Sequence, residues 1–312
     1  MHGTCPILIA GPTASGKSAL ALQLAEAFGG VIINADSQQI YRDWHILTAR
    51  PSPEEETRAP HRMYGNVSLD VIYSTGHWLD DVTRELERCQ TEELRPIIVG
   101  GTGLYFKALT VGLAKIPKAD LSIRARGEEV LEQLGLARFV ETLQTRDPKT
   151  CARIDLQNPR RVLRAWEVLE QTGRGIADWQ DETPPPLVPL GACQAIALQP
   201  PRDWLYERCD RRFDEMIKAG VLTEVEAVMS TSLSPDAPGA KAVGAPELMA
   251  HLRGEMTLDE ASDRAKMETR RYAKRQSTWI RNQMQDWRKL DPADSSAVET
   301  LVDELTFQEI TG

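Results

Sequence analysis

The stretch GPTASGKS, residues 11–18, sets Gly11, Gly16, Lys17 and Ser18 at the spacing G-x-x-x-x-G-K-[ST]. Glycines at the two ends of such a run permit a tight loop whose backbone N–H groups converge on an anion. A helix starting near Lys17 adds its positive N-terminal end. Lys17 then supplies a point charge to a terminal phosphate, and Ser18 offers a hydroxyl to a magnesium ion. A nucleoside triphosphate is the first ligand to expect.

The usual hydrolysis apparatus is missing, however. A nucleoside triphosphatase of this kind ends another strand with a magnesium-holding aspartate. The obvious strand here, PIIVGGTG (residues 96–103), ends in glycines and a threonine. The N-K-x-D run of a switch GTPase is absent, and D-x-x-G occurs only at Asp236–Gly239, far downstream.

A second candidate is VIINADSQQIYR, residues 31–42, an apolar run ending at Asp36 and Ser37. In open α/β sheets ligands sit outside the carboxyl ends of the strands. A carboxylate there can hold a cation or accept a proton; alternatively Asp36 caps the next turn.

The elements that must position these residues are legible in outline. Pro6–Ala10, Val31–Asn34, Pro96–Val99 and Gln194–Leu198 are short apolar runs. Helical patterns cover Ser18–Phe28 and Trp78–Leu94. Strands alternating with helices predict an α/β fold: a P-loop NTPase-like parallel sheet core. Residues 120–173 show no strand run and predict helices over Leu121–Leu134, Leu136–Leu143 and Pro159–Thr172. A Pro-rich stretch, Asp181–Gly191, leads back to a strand. The expected organisation is therefore a core of residues 1–115 and 191–312 interrupted by a helical insertion domain, residues 116–190. Residues 203–229 read as helical, and 291–312 as a weakly patterned final helix.

Composition bounds the function class. The 312 residues carry a net charge of −9 and five scattered cysteines without a C-x-x-C pair. This argues against a disulfide framework or a zinc site and fits a reducing cytoplasm. No stretch of 18 apolar residues appears, so no membrane span is expected. The first ten residues read as a strand entering the loop, not as a signal peptide. The acidic total hides local basic clusters. Residues 264–289 hold nine basic side chains against Glu268 and Asp286. Arg271, Lys274, Arg275 and Thr278 share one helix face, interleaved with Tyr272 and Trp279. Further clusters are Arg153, Arg160, Arg161 and Arg164, and Arg124 with Arg126. Such clusters suit nucleic-acid phosphates, or else form solvated faces.

Taken in order, GPTASGKS, NADSQQIYRDWHILTARP, PIIVGGTGLYFKALTVGL, NPRRVLRAWEVLEQTGR and TRRYAKRQSTWIRNQ resemble the bacterial tRNA dimethylallyltransferases over about residues 6–290. The resemblance implies transfer of a dimethylallyl group from its diphosphate to the exocyclic amine of the adenosine 3′-adjacent to the anticodon. It implies that Gly11, Thr13, Ala14, Ser15, Gly16, Lys17 and Ser18 cradle the diphosphate with Mg2+ on Ser18, and that Arg208 reaches it as well. Asp36 would be the general base, and Thr102 would position the reacting centre. Residues Asp36, Ser37, Gln38, Gln39, Thr102, Arg124, Arg160, Arg161, Val162, Leu163, Arg164, Arg271, Lys274 and Arg275 would touch the tRNA anticodon stem-loop. The chain departs from the family pattern at His45-Ile46-Leu47, where Asp-Ile-Gly is usual, and at Ala245-Pro246. The expected enzyme is a cytoplasmic monomer. A prenyltransferase acting on free adenine nucleotides and an ATP-using small-molecule kinase are the alternatives; a non-catalytic RNA-binding module leaves the loop and Asp36 unexplained.

Overall fold

A computed structural model describes residues 5–231, 233–234 and 236–311, the last five without their side chains. The chain divides into two compact units. One comprises the described residues up to Thr110 and from Val188 onward; the other is Val111–Leu187.

The first unit is built on a sheet. In chain order it holds β1 (Ile7–Ala10), α1 (Lys17–Phe28), β2 (Gly30–Asn34), α2 (Pro53–Arg58), β3 (His61–Arg62), α3 (Thr75–Thr91), β4 (Arg95–Gly100) and α4 (Gly103–Thr110). In the second unit, α5 (Leu121–Arg146), α6 (Pro148–Cys151), α7 (Pro159–Thr172) and α8 (Ile176–Asp181) follow. The first unit then resumes with β5 (Gln194–Leu198), α9 (Arg202–Lys218), α10 (Val221–Met229), α11 (Ala245–Leu252), α12 (Leu258–Gln283), β6 (Arg288–Leu290) and α13 (Ser295–Thr311).

All six strands pair in parallel, in the order β3-β2-β4-β1-β5-β6. Such strands are buried on both faces, which explains their uninterrupted apolar runs. Leu8, Ile33 and Ile98 face one layer with Trp78, Phe106 and Trp287. Ile7, Ile9, Ile32, Ile97 and Ile196 face the other with Leu20, Leu24 and Leu301. Each fully buried aliphatic side chain contributes about 1.5–3 kcal/mol. The sheet is therefore a rigid base, and the loops at the carboxyl ends of β1, β2 and β4 are held by it.

The order places β4 between β1 and β2, so the loop after β4 touches the loops after both neighbours. Gly11 N donates to Gly100 O at 3.1 Å, and Thr102 N donates to Ala35 O at 3.2 Å. Close approach explains Gly100: a Cβ there would overlap the Ala35 carbonyl. Gly100→Ala is expected to destabilise the protein by about 1–3 kcal/mol through overpacking. A lowered urea midpoint at unchanged m-value checks this; an unchanged midpoint contradicts it.

The helical unit has its own core of Phe139, Leu143, Val162, Trp166 and Leu169. Its first helix runs through both expected segments, with a break at Gly135 (φ 72°, ψ 160°). Residues 203–229 are helical as expected, in two helices, because Gly220 at φ 92° turns the chain between Lys218 and Val221. Of the basic run 264–289, α12 carries the residues up to Gln283, and Arg288 and Lys289 belong to the edge strand β6. Period-3.6 patterning weakens only gradually toward a helix end, so it marks boundaries poorly.

Candidate active site

The phosphate loop joins β1 to α1. Ala14 (φ 62°) and Gly16 (φ 87°) take left-handed conformations that turn the chain back on itself. At Gly11 a Cβ would stand 2.6 Å from Ser15 Oγ, so only glycine leaves room for the buried serine. Helix α1 starts at Lys17 with no side chain capping its first turn. Its free N–H groups and its dipole are thus available to an anion. Ser15 Oγ is buried without a hydrogen-bond partner, and Ser18 is exposed on the first turn.

Lys17 is buried, and its Nζ reaches only Pro12 O, at 3.4 Å. Burial, the largest influence, lowers its pKa to about 8; Asp36 opposes that shift and Arg212 adds to it. Arg208 Nε donates to Ala14 O at 2.9 Å, and its guanidinium lies 4.5 Å from the Trp204 ring centroid. Arg208 therefore braces the loop from outside.

Asp36, at the end of β2, is only 7% exposed. Its Oδ1 accepts Gln38 N at 3.0 Å, and its own N–H donates to Asn34 Oδ1 at 2.9 Å. Thr102 Oγ1 accepts Ser37 N at 2.9 Å and lies 3.2 Å from Ser37 Oγ. Thr102 thus fixes the Asp36–Ser37 turn from the neighbouring loop. Gln38 Oε1 accepts Val243 N at 3.0 Å. The amide of Gln39 is directed to Thr48 O and Ala49 O, at 2.9 and 2.7 Å.

Three residues not found from the sequence complete the site. Arg212 lies one helical turn beyond Arg208 on α9 and donates to Thr13 Oγ1. Burial lowers its pKa, and the charge of Asp36 raises it. Gln276 accepts Thr13 N at 2.8 Å and donates to Gly101 O at 3.1 Å, bridging the loops after β1 and β4. Tyr272, one turn earlier on α12, lines the same cavity as Gln38 and Asp36; burial, then the Asp36 charge, holds its phenol protonated. The sequence signals for them were spacing, since 208 and 212, then 272 and 276, are i, i+4 pairs, and the run TRRYAKRQSTW, which holds Tyr272 and Gln276.

Thr13, Asp36, Gln38 and Arg212 line one cavity with Tyr272, Thr269, Leu47, Thr48, Cys209, Phe213, Met216 and Val243. The buried Lys17 and the half-buried Arg212 thus bring two cations close to a single buried carboxylate. The arrangement can bind a multiply charged phosphate group beside a base that accepts one proton. Among the described residues no cluster of three or more His, Cys, Asp or Glu could hold a metal.

The basic residues divide. Within residues 264–289, Lys266, Arg270, Arg271 and Arg288 are paired with Asp214, Asp210, Glu268 and Glu304. Among the described residues Arg264, Lys274, Arg275, Arg281 and Lys289 have no ion-pair partner. In the helical unit Arg124 pairs with Glu128, Arg164 with Glu167 and Arg153 with Asp181. Arg160 and Arg161 stand exposed at the start of α7, where Asn158 caps the helix. Of the other expected RNA contacts on α7, the side chains of Val162 (0% exposed) and Leu163 (7% exposed) are packed in the core of that unit. Helical periodicity turns their positions inward while leaving the arginines outside.

The model of the family described as IPP transferase matches residues 39–283. A tRNA dimethylallyltransferase of Cereibacter sphaeroides is 55% identical over 285 residues, 91% of this chain and 95% of that protein. One from Dinoroseobacter shibae is 53% identical over 290 residues, 93% of this chain and 96% of that protein. Among solved structures, the tRNA isopentenylpyrophosphate transferase of Bacillus halodurans aligns with TM-score 0.69 at 31% identity, covering 98% of this chain and 95% of that one. A eukaryotic dimethylallyltransferase acting on tRNA aligns with TM-score 0.81 at 27% identity, covering 94% and 75%.

Proposed function

The chain belongs to the IPP transferase family, and from that membership we propose how its own residues divide the work of transferring a dimethylallyl group to tRNA. The acceptor is the exocyclic amine of the adenosine 3′-adjacent to the anticodon. The donor is dimethylallyl diphosphate. The observation that carries the reading is the meeting of Asp36 with Thr13 and Arg212 in one cavity.

In the reaction the amine nitrogen attacks C1 of the dimethylallyl group. The C1–O bond breaks, its electron pair leaves with diphosphate, and the amine proton passes to the Asp36 carboxylate. The adenine lone pair is delocalised into the ring, so the amine is a poor nucleophile and a positioned base matters. The free N–H groups at the start of α1, with Lys17 and Arg212, neutralise the charge that grows on the leaving group. Arg208 keeps the loop in shape through Ala14. Thr102 and Gln276 hold the three loops in register.

Magnesium fits this donor set. Mg2+ keeps several waters and is commonly bound by one or two protein groups plus phosphate oxygens. The exposed Ser18 hydroxyl is such a group, and the absence of a carboxylate cluster among the described residues agrees with a substrate-borne ion. When bound it would offset the negative charge of the leaving diphosphate.

The cations Lys274, Arg275, Arg160 and Arg161, unpaired among the described residues, together with Arg124 and Arg271, whose ion pairs are exposed and weak, and with Arg164, half-buried beside the buried Glu167, are the proposed phosphate contacts of the anticodon stem-loop. Reaching a stacked base requires that it be swung out of the loop. Among the described residues no helix is long and apolar enough to cross a membrane. A cytoplasmic setting follows from the proposed tRNA substrate.

The test supplies labelled dimethylallyl diphosphate and magnesium with an unmodified anticodon stem-loop, AMP or no acceptor. Label is expected in the stem-loop alone. Transfer to AMP but not to RNA would show that the acceptor is a free nucleotide.

A further inference from the structure

The cavity at Asp36 has an apolar side, formed by Leu47, Phe213, Met216 and Val243. It is small, about 40 Å³. Leu47, Phe213 and Met216 are all buried. Leu47 stands on the turn 44–49, and that turn is clamped from two directions. One oxygen of the Glu224 carboxylate accepts the N–H of His45 at 2.6 Å and of Ile46 at 2.8 Å. The other accepts the N–H of Leu47 at 2.8 Å. From the opposite side Gln39 holds Thr48 O and Ala49 O. Ala49 sits at φ 50°, a conformation that persists in a residue with a side chain only where its surroundings over-determine it.

The wall is also fixed from behind. Gly244, at φ 92°, brings the backbone so close that a Cβ there would lie 3.3 Å from Leu47 Cδ1 and 3.3 Å from Phe213 Cε2. Leu47 is therefore held along its turn by its backbone and packs close to the start of α11. Neither phosphate binding nor proton transfer calls for an immobile apolar wall. An apolar group that must be measured for length does.

We propose that Leu47, held in place by Glu224, limits the donor to a five-carbon chain. The inference rests on the reading of the donor as dimethylallyl diphosphate. Leu47 meets the far end of the chain; Glu224 is a positioning residue that acts through the backbone of residues 45–47. A branched five-carbon group would fill the space, and a ten-carbon group would overrun it.

The test is the ratio of kcat/KM for geranyl diphosphate to that for dimethylallyl diphosphate, with the unmodified stem-loop as acceptor. The fraction of active enzyme cancels in this ratio. Leu47→Ala is expected to raise it by roughly 10- to 100-fold, since one methylene in an apolar pocket discriminates by roughly 10- to 200-fold. Leu47→Val, a milder change, is expected to raise it several-fold should the alanine variant fold poorly. Glu224→Gln is expected to shift the ratio in the same direction, because a neutral amide cannot hold all three N–H groups. A merely structural role for Glu224 would lower both donors alike and leave the ratio unmoved. If wild type transfers dimethylallyl groups and the Leu47 variants keep the wild-type ratio, the length limit lies elsewhere. If wild type fails with dimethylallyl diphosphate, the donor reading itself is wrong and this inference falls with it.

Discussion

Asp36→Asn lowers the turnover of prenyl transfer by about 100- to 10,000-fold, the range expected when a positioned general base is removed. Asparagine keeps the size of the side chain and an oxygen that accepts the Gln38 N–H, so the turn after β2 is expected to survive. Affinity for the stem-loop should change no more than a few-fold, because one carboxylate near the cavity adds little to a binding energy dominated by phosphate contacts. The measurement is single-turnover transfer at saturating donor, alongside filter binding of the RNA. Loss of RNA affinity in proportion to turnover would make Asp36 a recognition residue. Turnover within a few-fold of wild type would remove it from the proton transfer altogether.

The second large effect is at Lys17. Its buried ammonium titrates near pH 8, so its positive charge is lost as pH rises through that value. Donor kcat/KM is therefore expected to fall about tenfold per pH unit above pH 8. Lys17→Arg should flatten this limb, since arginine stays charged. Lys17→Ala should lower donor kcat/KM by about 100- to 1000-fold, by analogy with loss of a single charge-stabilising donor. Kinetics from pH 6.5 to 10 separate these outcomes. A falling limb that survives in Lys17→Arg would assign the titration to another group.

Stability should show the opposite pH trend. The unfolded chain binds the Lys17 proton more tightly than the folded protein does between about pH 8 and the ordinary lysine range. Stability from this group therefore rises with pH across that window. Below pH 8 the buried charge costs on the order of 3 kcal/mol. Bound diphosphate offsets that cost, so a donor analogue should raise the unfolding midpoint more at pH 7 than at pH 9.5.

Much of this site is written in contiguous residues. The proposed phosphate loop from Gly11 to Ser18 is a backbone device, and Ala14, Gly16 and the start of α1 are set by neighbours one or two positions away. Asp36 at the end of an apolar run was legible for the same reason. The family resemblance carried the chemistry, including the donor and the acceptor. Along α7 a run of sequence does not display which side faces inward, and only the packing separates the buried side chains of Val162 and Leu163 from the exposed Arg160 and Arg161.

The residue types and local spacings thus determined the loop between β1 and α1, the carboxylate at the end of β2, the parallel sheet and the helical unit. Each depends on backbone geometry or periodicity over a short span. The tertiary structure alone brought Arg212 and Gln276 to Thr13, although 199 and 263 positions separate them from it in the chain. It alone set Glu224 against the backbone of residues 45–47. Those contacts depend on which face each helix turns toward the ends of the strands, and that is decided by the packing of the whole core.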